Sequence, residues 1–399
     1  MKETVRTSYK HTLAACCIGY IVQAIANNFV PLLFLTLQRE FFVSLEKITF
    51  IVTVNFFIQL LVDIVAIRYV RRIGYRKIVI AAHVFAAVGL AGLAFFPDLL
   101  LGWGADPYIG ILIAVFLYAV GGGLIEVIIS PMVEAIPAEE KAGNMSFLHS
   151  FYCWGVVGVV VLSTAFFAAS GIGSWRILAL LWAVVPLANT FYMALVPIRT
   201  MEEEAGSAVP VRKLLVSKAF WLIMLLMFTS GASELSVSQW ASAYAEAGLG
   251  VEKSVGDLLG PCAFAVLMGT SRTIFARKSD RIPLLGYMIF SAVLAITGYL
   301  LIGAVNHPVV GLAGCALCGF AVGIFWPGTL SLAAKRLPEG GTPLFTLCAL
   351  AGDLGCSLGP TVVGLASGQS AGNLSAGMLV SLIFPVVLLL ALVVYRRGK

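Results

Sequence analysis

Five places in this chain set an ionisable side chain inside or at the edge of a long apolar run. Such groups are costly in a low-dielectric environment and usually face a cavity or a partner. Glu126 lies in GGGLIEVIISP, with no Lys or Arg within a helical turn along the sequence. Apolar surroundings favour the neutral form of a carboxyl, so this group is suited to taking up a proton on one side and releasing it on the other. A neutral Glu bonded to a neighbouring helix is the structural alternative. Glu234, in TSGASELSVSQW, carries the same pair of readings, as a contact for hydroxyl groups or a second proton site against a carboxyl bonded within its own bundle. Asp353, in LAGDLGCSLGP, fits a cavity role and a structural polar contact equally. His149, in NMSFLHSFYCWG, is of the one residue type whose unperturbed charge changes near neutral pH, although a lone His more often packs. Asp63 leads LVDIVAIRYVRRIGYRK, where Arg68, Arg71, Arg72 and Arg76 follow within reach. Acid and base at that spacing suit a conformational latch or orientation anchor, and Arg272 occupies a comparable place later in the chain.

Uncharged polar and aromatic residues surround these positions: Gln23, Asn27, Asn28, Asn55, Gln59, Tyr152, Trp154, Gln239, Trp240 and Trp326. Amide side chains satisfy hydroxyl donors and acceptors together. Flat aromatic rings pack against the apolar face of a sugar ring. The mix is one that bound sugars need, and ordinary packing accounts for part of it. No cluster of Arg or Lys converges in the same stretches, which argues against a phosphorylated or strongly anionic ligand.

The elements that must position these residues are membrane helices. Of 399 residues, 60% are hydrophobic and 12% charged, against roughly a quarter charged in soluble domains. Twelve apolar stretches, at 11–37, 46–70, 77–97, 108–135, 145–170, 175–197, 218–246, 254–277, 283–304, 308–335, 342–368 and 374–396, approach or exceed the length needed to cross a bilayer. The net charge of +6 does not signal nucleic acid, because its placement follows the membrane. With both termini cytoplasmic, Arg39, Lys47, Arg176 and Lys253 form the outer set, and about 20 of the other Lys and Arg residues fall inside. The first apolar stretch is long and runs straight into a second, so it reads as a helix rather than a cleaved leader. All eight cysteines fall inside the stretches. Cys315 and Cys318 form a CxxC without a second pair or a nearby His, so they read as small packing residues. No GxxxxGK(S/T) loop is present to bind a nucleotide, and no nucleophile–base pair or metal set gathers on one membrane face. Neither catalysis nor a cofactor is expected.

The two halves repeat each other. Asn28, Glu46 and Lys47 recur 206 residues on as Glu234, Glu252 and Lys253, and a second register pairs Pro137 with Pro338 and Gly158 with Gly359 at 201. Duplicated membrane bundles belong to carriers whose halves rock about one midplane site. The polar stretch from Arg199 to Lys218 separates them. The expected architecture is an all-α membrane protein, twelve transmembrane helices in two pseudo-symmetric six-helix bundles: 1–198, a cytoplasmic linker at 199–217, and 218–399. Glycines at 121–123, 155, 158, 319 and 323 suit close helix approach in lipid.

These segments resemble the major facilitator superfamily across essentially the whole chain. Asp63 to Lys77 looks like its signature between helices two and three, with Gln59 where a Gly is expected before the Asp. Within the superfamily, four segments are similar to the fucose–galactose–proton symporter group: AIANNF at Ala24 to Phe29, GGGLIEVIISP at Gly121 to Pro131, NMSFLHSFYCWGVVG at Asn144 to Gly158, and GASELSVSQW at Gly231 to Trp240. The resemblance puts that group's helix-four acid on Glu126. Its helix-one acid has no counterpart, because Phe29, Val30 and Pro31 stand there. The expectation is therefore a monomeric, multi-pass carrier of the bacterial inner membrane that takes up a neutral sugar or similar solute with protons. Glu126 and Glu234 would couple the proton. Gln23, Asn27, Asn28, Asn55, His149, Tyr152, Trp154, Gln239, Trp240, Trp326 and Asp353 would contact the solute, and Asp63, Arg68, Arg72 and Arg272 would form the latch. Two alternatives stay open: a proton-driven exporter of amphipathic compounds, and a membrane sensor that transports nothing.

Overall fold

The computed structural model describes residues 5, 8–134, 136, 141–198, 211–278, 281–305, 307–337 and 340–397. The side chains of 66–68, 70–72, 130, 131, 134, 141–147, 211, 276, 334, 341–343, 345 and 346 lie outside that description. Among the described residues, twelve helices are long and apolar enough to span a bilayer. They are α1 (Tyr9–Phe41), α2 (Leu45–Val65), α3 (Tyr75–Gly102), α4 (Pro107–Ile129), α5 (Leu148–Ser170), α6 (Ile172–Leu195), α7 (Lys218–Gly248), α8 (Lys253–Phe275), α9 (Leu284–Ala304), α10 (Pro308–Ala333), α11 (Leu347–Gln369) and α12 (Leu374–Arg397). No strand occurs among the described residues. A helix satisfies its backbone within its own segment, which is why an apolar chain of this kind crosses lipid in this form.

The backbone clusters into two compact units, Met1–Val43 with Val54–Glu203, and Ser44–Thr53 with Glu204–Lys399. The first ten residues of the α2 region thus group with the second unit. The expected linker lies mainly outside the described residues, as do Pro137 and Pro338.

In the first unit, α3 lies along α4 and α6, and α1 packs on α4 and α5. Alanines, Ile125, Ile128 and Ile129 form much of its core. Polar ties close both ends. At one, Arg76 donates to the carbonyls of Met193, Ala194 and Val196 at 3.1, 2.8 and 2.9 Å, capping the orphan carbonyls that end α6. At the other, Arg176 pairs with Glu40 at 2.6 Å and Asp98 at 2.8 Å while lying over the Trp175 ring.

In the second unit, α7 lies along α11 and also meets α12 and α10, while α8 and α9 flank α10. Close approach is set by glycine: a Cβ on Gly355 would fall 2.0 Å from the Phe228 carbonyl oxygen. All eight cysteines are buried and free, so they pack as small residues.

Several spans are interrupted where the sequence reading drew continuous stretches. α1 passes from α-helix at Asn28 to a 3₁₀ turn over Val30–Leu33 containing Pro31. α7 and α8 carry π-helical turns at Tyr244–Gly248 and Leu258–Cys262, the second containing Pro261. α10 breaks between Val322 and Phe325, just before Pro327. A proline lacks the N–H that would close the ladder four residues back, so these are the natural places for a helix to bend.

Candidate functional site

In the first unit, four of the predicted amides face one another from α1 and α2, and one of them meets Glu126 on α4. Gln23 and Asn27 are one turn apart on α1, and Asn55 and Gln59 are one turn apart on α2. All four are buried. Asn27 Oδ1 is the common acceptor, taking hydrogen bonds from Asn55 Nδ2 at 3.2 Å and Gln59 Nε2 at 2.8 Å. Gln59 Nε2 also lies 3.2 Å from Asn55 Oδ1. Gly122 and Gly123 make room for this row: a Cβ at Gly122 would touch Gln59 Oε1 at 3.4 Å, and one at Gly123 would meet the Gln59 backbone at 3.0 Å.

Gln23 Nε2 donates to Glu126 Oε2 at 2.5 Å. Its other end, Oε1, is buried with no hydrogen-bond partner among the described residues. This pairing has a chemical consequence. An ionised Glu126 only accepts, and Gln23 presents an N–H to it. A protonated Glu126 can donate, and a flipped Gln23 amide presents its oxygen instead. One neighbour therefore serves both charge states.

The other predicted residues of this unit are placed differently. Asn28 turns back on its own helix, donating to the Ala24 carbonyl at 2.9 Å. His149 is exposed and lies against Tyr20, ring centroids 5.2 Å apart. Tyr152 is partly buried against the core of the unit. Trp154 is 59% exposed. Asp63 is buried one turn beyond Gln59, but the side chains of Arg68 and Arg72 lie outside the described residues.

In the second unit, Glu234 on α7 faces Arg272 on α8, with Oε2 to Nη2 at 3.7 Å. Arg272 Nε also donates to the Gly323 carbonyl on α10 at 3.2 Å. The sequence reading assigned Glu234 to coupling and Arg272 to a latch; the structure makes them neighbours. Gln239 and Trp240 are buried just beyond, the Trp240 indole N–H donating to the Pro360 carbonyl at 2.9 Å. Asp353 is buried on α11, next to Gly352, whose missing side chain leaves space for the Trp326 ring.

Two polar clusters escaped the sequence reading. Asp257, at the start of α8, is buried and bonded to the Ser242 hydroxyl, with Lys253 Nζ at 3.1 Å. His83 on α3 is fully buried. Its Nδ1 bonds the Val79 carbonyl at 2.7 Å, which fixes the proton there, so Nε2 accepts from Asn189 Nδ2 at 2.8 Å. The signal for both was present, an acid and a His within apolar runs. Among the described residues, no group of three or more His, Cys, Asp or Glu is arranged to hold a metal ion.

Comparison with solved structures finds this fold in known carriers. The E. coli fucose:proton symporter FucP superposes with a TM-score of 0.67 at 17% identity, over 97% of this chain and 99% of that one. A D-xylose–proton symporter gives 0.78 at 14% identity, over 97% of each chain. A bacterial homologue of the human lysosomal transporter Spinster gives 0.75 at 12% identity, over 98% and 97%. At such identities the likeness is one of fold. No curated protein sequence matches the chain. The sequence model of the Major Facilitator Superfamily matches residues 16–360. With that match over most of its length and twelve helices able to span a bilayer among the described residues, this chain belongs to the major facilitator superfamily and is a multi-pass membrane transporter.

Proposed function

We propose that this transporter is a secondary carrier that takes up a neutral sugar, or a similar polyhydroxylated solute, together with protons by alternating access. The observation that carries the reading is the Gln23–Glu126 contact beside the Asn27–Asn55–Gln59 amides. Glu126 has a neighbour suited to both of its charge states. The adjoining amides offer donors and acceptors of the kind that hydroxyl groups need. In this reading Glu126 exchanges the proton. Glu234 and the amides contact the solute, and Arg272 balances the charge of Glu234. The similarity in fold to fucose and xylose proton symporters supports the solute class. The carrier is a monomer in the bacterial inner membrane; its termini lie in the cytoplasm, an orientation that the distribution of Lys and Arg supports.

The test is Glu126→Gln in proteoliposomes. A glutamine keeps the shape and the hydrogen bond but carries no exchangeable charge. Uphill accumulation driven by a proton gradient is lost, while counterflow of labelled sugar persists. Accumulation retained in this variant would remove Glu126 from the mechanism.

A further inference from the structure

Arg272 does more than face Glu234. Pro327 has no N–H, so the carbonyl four residues earlier, at Gly323, loses its helical hydrogen bond. Gly323 sits at the break in α10, between the helix ending at Val322 and the one beginning at Phe325. Its carbonyl is the one that Arg272 Nε reaches at 3.2 Å, while Nη2 of the same guanidinium lies 3.7 Å from Glu234. α8 comes this close because residue 323 is a glycine: a Cβ there would meet the Met268 carbonyl oxygen at 2.8 Å and Ser271 at 2.9 Å. Three residues beyond Gly323, the Trp326 ring lies over Gly352, where a Cβ would fall 2.3 Å from it. The ladder resumes at once, Gly328 N–H donating to the Ile324 carbonyl at 2.8 Å.

We propose that Arg272 is a positioning residue that ties the charge of Glu234 to the hinge of α10, supplying through Nε the hydrogen bond that Pro327 removes. A planar guanidinium presents its donors in a rigid fork, so Nε and Nη2 aim at two acceptors in fixed directions, whereas the three donors of an ammonium rotate on a flexible stem. When a proton neutralises Glu234, or a solute hydroxyl draws its carboxylate away, the guanidinium loses that pairing. The strut on Gly323 loosens, α10 bends at Ile324, and Trp326 shifts on Gly352. This last step rests on the proposed contact between Glu234 and the solute; the strut itself does not.

Hydrogen–deuterium exchange of the full chain in nanodiscs, without solute, separates the two. Arg272→Gln speeds exchange of the backbone amides over 324–331 by about tenfold, the effect of losing one hydrogen bond from a charged donor. Glu234→Gln speeds the same amides, because the guanidinium is no longer held. Pro327→Ala restores the missing N–H, so the double variant Arg272→Gln/Pro327→Ala exchanges like the wild type. Unchanged exchange in Arg272→Gln, or a double variant as fast as the single one, would overturn the strut. Unchanged exchange in Glu234→Gln alone would overturn the link to its charge. A protein that shows the three expected results yet carries no sugar refutes the proposed solute and leaves the strut standing. Should Arg272→Gln not fold, Arg272→Lys is read against Arg272→Lys/Pro327→Ala, with the same fast and restored exchange expected and equal rates contradicting it.

Discussion

At the residue scale, the first unit depends on an amide row in which Asn27 Oδ1 accepts from both Asn55 and Gln59. Asn27→Ala leaves two buried N–H groups short of an acceptor and costs about 1–3 kcal/mol. It lowers the thermal unfolding temperature of the purified protein in detergent, and unchanged stability would show that the row has other acceptors. The members of the row were legible in the sequence, because a Gln, Asn or Glu in an apolar run stands out. Their pairing was not. Whether Gln23 meets Glu126 or turns to its own backbone, as Asn28 does, depends on the rotation of α1 against α4. Rotation follows from packing, to which apolar periodicity in an almost wholly apolar helix gives little guide. Asp257 and His83 were equally visible as isolated polar letters. They were passed over because the partners that mark them, Ser242 and Asn189, lie 15 and 106 residues away.

At the element scale, the seams between helices are set by single glycines whose neighbours leave no room. A Cβ at Gly355 would sit 2.0 Å from the Phe228 carbonyl oxygen, whereas one at Gly158 would meet nothing within 4 Å. Gly355→Ala pushes α11 from α7 and costs about 1–3 kcal/mol, as overpacking does. Gly158→Ala stays within about 0.5 kcal/mol of the wild type. Thermal unfolding of the two variants side by side decides the matter, and equal losses would contradict the packing described here. The repeat pairs Gly158 with Gly359, yet a Cβ at Gly359 would lie 2.6 Å from the Ala232 carbonyl oxygen. A repeated letter therefore does not carry a repeated contact. Prolines teach the same lesson. Pro97, Pro186 and Pro360 lie within unbroken helices, whereas Pro31, Pro261 and Pro327 accompany interruptions. The sequence marks each missing N–H but not what the rest of the fold does with the carbonyl left behind. For Gly323 the answer came from Arg272, on another helix.

At the scale of the whole molecule, twelve spans were readable from composition and length, and the superfamily from the pattern of the whole chain with one signature, while four short segments carried the resemblance to the symporter group. What the repeat means for transport belongs to the proposal. The carboxylate proposed for transport has polar company in each unit, Glu126 with Gln23 in the first and Glu234 with Arg272 in the second. One of these has an amide as neighbour and the other a cation, which is why the proton is assigned to Glu126. The orientation is open to a direct check: a reporter that matures only in the cytoplasm, fused after Lys399, is active, and an inactive fusion of a correctly inserted protein would reverse the topology. The most direct test of the central claim is charge movement in proteoliposomes on a solid support, with a panel of neutral sugars added at several pH values. The account predicts a sugar-dependent current that disappears in Glu126→Gln; silence across the panel with insertion verified, or a current that survives that substitution, would contradict it.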